Sequence, residues 1–110
     1  MKEITLDRPG PVKIKVDGHV FELKMSDVGI MEVALAMRRK YENEPLDGAE
    51  AIVSASQDVA GTIDRILGEG AIELLAGGQP VGLTLTLQWM NDIARGAVEA
   101  YAEELEARYA

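Results

Sequence analysis

Gly68 and Gly70, with Glu73 three residues further on, come nearest to a piece of chemistry, because a G-x-G loop can bring backbone N–H groups up to a phosphate. A dinucleotide loop needs a third glycine where Glu73 stands and a strand ahead of it, whereas residues 49–67 read as a helix. Asp92, Glu99, Glu103 and Glu106 could pair for acid–base work only in a desolvating pocket, and their spacing puts them opposite the apolar stripe of a helix. Arg38, Arg39 and Lys40 could hold a phosphate, but three adjacent helical residues point in different directions, and cations suit the last turn of a helix. The single His19 falls at a turn, and there is no cysteine. No catalytic residue, cofactor site or metal-ligand set is expected, so the chain reads as a protein that binds rather than reacts.

The elements that must position these residues fit one domain over 1–110, with a β-hairpin at 3–25 and a helical part at 26–110. A composition of 47% hydrophobic and 27% charged residues supports a packed core. Charge is segregated. Through Lys40 eight basic residues meet six acidic ones, a net +2, and from Tyr41 onward three arginines meet thirteen acids, a net −10. The acidic part repels phosphate, which argues against nucleic acid as a partner. The N-terminus lacks the apolar segment of a signal peptide, and no apolar run approaches the ~20 residues of a membrane span, so a cytoplasmic protein is expected.

The fold class expected is α+β: an N-terminal hairpin followed by a bundle of three main helices plus one short helix. Val12, Ile14 and Val16 alternate with lysines, and Asp17-Gly18 separates them from a second alternating run, His19 to Met25. Ile4 and Leu6 leave room for a third short strand, cut off by Arg8-Pro9-Gly10-Pro11. Ser26 caps a first helix that runs to Tyr41 or Asn43, with Val28, Met31, Ala34, Leu35 and Met37 to Tyr41 as its apolar surface. After a connection at Glu44-Pro45-Leu46-Asp47-Gly48, a second helix spans 49–67, its core stripe Ile52, Val53, Ser56, Val59, Ala60, Ile63, Ile66 and Leu67. Gly61 inside it suggests a close backbone approach.

Gly68 is expected to close this helix in a left-handed conformation. Glu69 and Glu73 then stand near the start of a short helix whose Ile72, Leu74 and Leu75 cap the core. Gly77, Gly78 and Pro80 end it, and Thr84 or Thr86 caps a last long helix with the stripe Leu87, Met90, Ile93, Ala94, Ala97, Val98, Tyr101 and Leu105. Trp89 lies about 120° from that stripe, on a side shared with Leu85, Gly96, Ala100 and Ala107. Two readings of this second face stand: Leu85, Trp89, Gly96 and Ala100 meet a protein partner or another copy of the chain, or the hairpin or short helix folds over Trp89.

The order of elements, together with Leu67-Gly68-Glu69-Gly70-Ala71 followed by Glu73, Leu74 and Leu75, resembles the tail assembly chaperones of siphophages and prophages. Relatives often carry phenylalanine-glycine where this chain has Ala76-Gly77. The resemblance implies a non-enzymatic protein of the bacterial host's cytoplasm that binds the long, helical tape measure protein before the tail tube forms, and a family in which frameshifting can add a longer product. Alternatives are a structural virion component, as a tail-tube or head-tail adaptor, and a small acidic regulator or inhibitor of a nucleic-acid-binding protein.

Overall fold

The computed structural model describes residues 1–8, 10–42 and 46–109. Pro9, the Asn43 end of the first helix and the Glu44-Pro45 connection lie outside the described residues. In chain order the elements are β1 (Lys13–Val16), β2 (His19–Glu22), α1 (Asp27–Glu42), α2 (Ala49–Leu67), α3 (Ala71–Ala76) and α4 (Leu83–Tyr109). This is the α+β arrangement the patterning implies, a hairpin followed by three main helices and one short one.

Asp17 and Gly18 both have positive φ, 47° and 82°, so the two strands join through a tight primed turn that pairs Val16 with His19. Ile14, Val16 and Phe21 pack on the core, and Lys13, Lys15 and Val20 face outward. Past the strands, Leu23 N–H donates to the Val12 carbonyl and Lys24 N–H to the Ile66 carbonyl, which fastens the hairpin to the last turn of α2. Among the described residues Ile4 and Leu6 add no third strand. Both are exposed, and their segment is tied through Asp7 to Arg108 at 2.9 Å, near the far end of α4.

Helix α1 starts where Ser26 predicts: its Oγ accepts from Gly29 N–H at 3.1 Å. Its buried line is Ile30 and Ala34, flanked by Val33, Met37 and Tyr41, while Val28, Met31 and Leu35 are exposed rather than core. Helix α2 buries Val59, Ile63, Ile66 and Leu67 together with Ala55 and Thr62, yet Ile52 and Val53 stay 45% and 55% exposed, because no described element closes over its first turns. Helix α4 packs against α1, α2 and β1 through Met90, Ile93, Ala94 and Ala97. Leu105 is exposed because α4 runs on past the body. The radius of gyration is accordingly 16.3 Å, against the roughly 13 Å of a compact chain this long.

The corner between α2 and α3 departs from expectation in one detail. Gly68 sits at φ 116° and ψ 157°, an extended conformation of positive φ rather than the left-handed helical one, and equally hostile to a side chain. Left-handed geometry belongs instead to Gly70 and Gly77. At the end of α3, Gly78 N–H donates to the Glu73 carbonyl and Gly77 N–H to that of Leu74, the paired closure of a Schellman turn. Of the apolar residues of α3, Ile72 and Leu75 pack on the core and Leu74 is exposed. Neither Thr84 nor Thr86 caps α4. Helix α4 begins at Leu83, and buried Thr86 donates through Oγ1 to the Gly82 carbonyl at 2.7 Å, inside the first turn. Gly61 is exposed, and among the described residues nothing lies within 4 Å of where its Cβ would stand, so none of their backbone approaches it.

Two side-chain pegs span the helices. Tyr101 OH donates to the Met25 carbonyl at 2.6 Å, tying α4 to the loop ahead of α1, and burial raises the Tyr101 pKa. Tyr41 OH donates to Asp58 Oδ2, which Lys40 Nζ also reaches at 3.2 Å, joining the end of α1 to the middle of α2. The Tyr41 hydrogen bond foremost, and Lys40 after it, hold the Asp58 carboxyl below its ordinary value of 3.8.

Gly68→Val should lower stability by about 1–3 kcal/mol in denaturant unfolding, and Gly61→Ala should raise it by up to about 1 kcal/mol. A depressed folded-state pKa adds stability that is present above the unfolded value and lost as pH falls through the folded one. Acid unfolding of Asp58→Asn should therefore show a shallower loss of stability below pH 3.8 than the parent chain.

Candidate protein-binding groove

Where α2 overhangs the start of α4, the uncovered side of α2 and the short α3 form the walls of an open groove of about 580 Å³. From α2 come Ile52, Val53, Gln57 and Ala60, whose three- and four-residue spacings place Val53, Gln57 and Ala60 on one flank. From α3 come Ile72 and Ala76, one turn apart, with Glu73 beside them. Gly78 to Gly82 close the end, and Thr86, its hydroxyl already satisfied within α4, is part of the lining.

A six-residue helix is too short to hold its own orientation by propensity. The angle of α3 is set from outside. Asp64 of α2 accepts from Ile72 N–H at 2.8 Å and Gly70 N–H at 3.3 Å, and its own carbonyl accepts from Gly68 N–H at 2.7 Å. One residue thus ends one helix and caps the next. With α3 so fixed, Ile72 and Ala76 face α2 across the groove.

Glu73 is the single charged residue of the lining, and residues 46–86 hold six acids against Arg65 alone. An apolar trough in acidic surroundings can take up the apolar face of a helix whose other side carries lysine or arginine. A second cleft of about 540 Å³, lined by Tyr41, Leu46, Ile52, Leu83 and Leu85, adjoins it over Ile52.

The structure divides the four sequence-derived binding residues. Gly96 and Ala100 line a cleft of α4 covered by β1, Leu85 is exposed in the cleft beside Ile52, and Trp89 lies between, half-buried against the core. The groove residues Ile52, Val53 and Ala60 stood in the core stripe instead. Their signal was the width of that stripe, broader than one packed helix covers. His19 and the α4 acids Asp92, Glu99, Glu103 and Glu106 are exposed. Among the described residues no three His, Asp or Glu side chains are grouped to hold a metal ion, and no helix is long and apolar enough to cross a membrane. No protein family, curated protein or solved structure matches the chain.

Asp64→Ala should cost about 1–2 kcal/mol, as loss of a helix cap does. Hydrogen exchange should locate the damage, with the Gly70 and Ile72 amides exchanging faster while the α4 core stays protected.

Proposed function

We propose that the chain is a non-enzymatic tail assembly chaperone, acting in the cytoplasm of a bacterial host, that holds apolar helical segments of a phage tape measure protein in the groove between α2 and α3. The observation that carries this reading is the uncovered apolar wall, with Ile52 45% and Val53 55% exposed opposite Ile72 and Ala76. Isolated exposed apolar residues are ordinary, but a contiguous apolar trough marks a binding surface. The Leu67-Gly68-Glu69-Gly70-Ala71 segment that resembles the chaperone family is also the corner from which α3, one wall of the groove, departs. Chaperoning needs reversible contact with many similar segments, and a shallow, mostly apolar groove with Glu73 as the one charged residue of its lining suits that better than a deep specific pocket.

Coexpression of the chain with a tape measure fragment from the neighbouring gene should give a complex that survives pulldown and keeps the fragment soluble. Ile52→Glu and Val53→Glu, both at exposed positions, should leave folding intact and weaken capture about tenfold or more. Retained capture in both variants would remove the groove from the mechanism. Abundant protein in purified virions would favour a structural component instead.

A further inference from the structure

The outer edge of β1 has no strand beside it. Leu23 N–H bonds to the Val12 carbonyl and Val16 pairs with His19, so the alternation of an antiparallel pair turns the N–H and C=O groups of Val12, Ile14 and Val16 toward β2 and those of Lys13 and Lys15 away from it. Among the described residues no backbone group meets Lys13 or Lys15 on that side. A cleft of about 330 Å³ is lined by all four residues of β1, from both faces of the strand, and so runs along this edge, with α4 as its other wall. Helix α4 presents Asp92 and Glu103 at the two ends of the cleft, about 16 Å apart along its axis, with Gly96 and Ala100 between them. Nothing among the described residues lies within 4 Å of where a Gly96 Cβ would stand, so the middle of the floor has room for a larger side chain.

Residues 2–8 carry the matching pattern. In an extended strand Lys2, Ile4, Leu6 and Arg8 share one face and Glu3, Thr5 and Asp7 the other. Laid along the edge of β1, the first face sets Ile4 and Leu6 over Gly96 and Ala100, and brings Lys2 and Arg8, about 20 Å apart, to Asp92 and Glu103. The second face sets Glu3 and Asp7 beside the outward-facing Lys13 and Lys15. Both faces are complementary in charge, and the match holds with the strand in either direction. In its own chain the segment lies elsewhere: Asp7 meets Arg108, beyond the Glu103 end of the cleft, and Ile4 and Leu6 are left exposed. The two prolines of Arg8-Pro9-Gly10-Pro11 bias the residues before them to extended backbone, which opposes doubling back onto the same β1.

We propose that residues 2–8 of one copy of the chain add as a third strand to the free β1 edge of a second copy, in the cleft against α4, and that the exchange is reciprocal, closing a two-fold pair. Lys13 and Lys15 gain main-chain partners, and Asp7 trades a surface contact with Arg108 for one with a lysine of the other copy. The groove between α2 and α3 stays open on both copies, and the exchange does not depend on what that groove binds.

Sedimentation equilibrium of the full chain across the micromolar to sub-millimolar range should show a mass rising from 11.9 kDa toward twice that value. Over the same range the Lys13 and Lys15 amides should exchange with solvent about tenfold or more slowly. Leu6→Glu, at an exposed position and so with unchanged circular dichroism, should associate about tenfold or more weakly, since it sets a carboxylate in an apolar contact. A chain carrying Glu3→Lys and Asp7→Lys should self-associate poorly, as should one carrying Lys13→Glu and Lys15→Glu, while an equal mixture matches both strand contacts and should form mixed pairs. The proposal is overturned by a monomeric mass throughout the range, which with protected amides would mean that the segment folds onto its own β1. It is overturned equally by association unchanged in Leu6→Glu, by Lys13 and Lys15 amides that stay fast in the associated form, or by a charge-swapped mixture no better paired than its components.

Discussion

Where α2 stops and α3 starts, the last carbonyls of one helix and the first N–H groups of the next must find partners within a few residues. Asp64 meets most of that demand with three acceptor atoms: its carbonyl for Gly68 N–H, and its two carboxylate oxygens for Gly70 and Ile72 N–H. Gly68 and Gly70 supply backbone conformations that other residues resist, so the chain can fold back far enough for Asp64 to reach. The same corner receives the hairpin, because the carbonyl of Ile66, two residues before Gly68, accepts from Lys24 N–H. The hairpin, α2 and α3 are all tied to this one place, and α3 owes its orientation to it.

Local chemistry was easy to read from the chain. Asp17-Gly18 demanded a primed turn, Ser26 offered an oxygen to a free N–H, and Gly48 and Gly68 bracketed α2 at the residues the structure shows. These features are decided within a few residues of themselves. The misreadings have a common cause. Periodicity reports that Val28, Met31, Leu35, Ile52 and Val53 are apolar, but whether another element covers them depends on how many elements the chain has. With three long helices and one hairpin, the apolar surface exceeds what the chain can bury, and the surplus appears as groove and flank. Asp64 was equally hidden, because a carboxylate on an apparently solvated helix face gives no sign that six residues later the chain returns to it.

The segregation of charge along the sequence has a spatial counterpart. Residues 46–86, which include the groove, carry six acids against Arg65 alone, while Arg38, Arg95 and Glu99 line the α1–α4 flank. Electrostatics of this kind adds less to affinity than to the sorting of encounters. A single small domain can in this way offer two apolar surfaces without each blocking the other.

The contact of Asp7 with Arg108 brings the first and last turns of the described chain together at the tip of the long helix, whereas the groove lies at that helix's beginning. Some 23 residues from Thr86 to Tyr109 separate the two, about 35 Å of helix. The molecule is therefore a lever with unlike ends. A fluorophore or surface linker attached near Asp7 or Arg108 hangs from the tip of α4, at the opposite end of that helix from the groove.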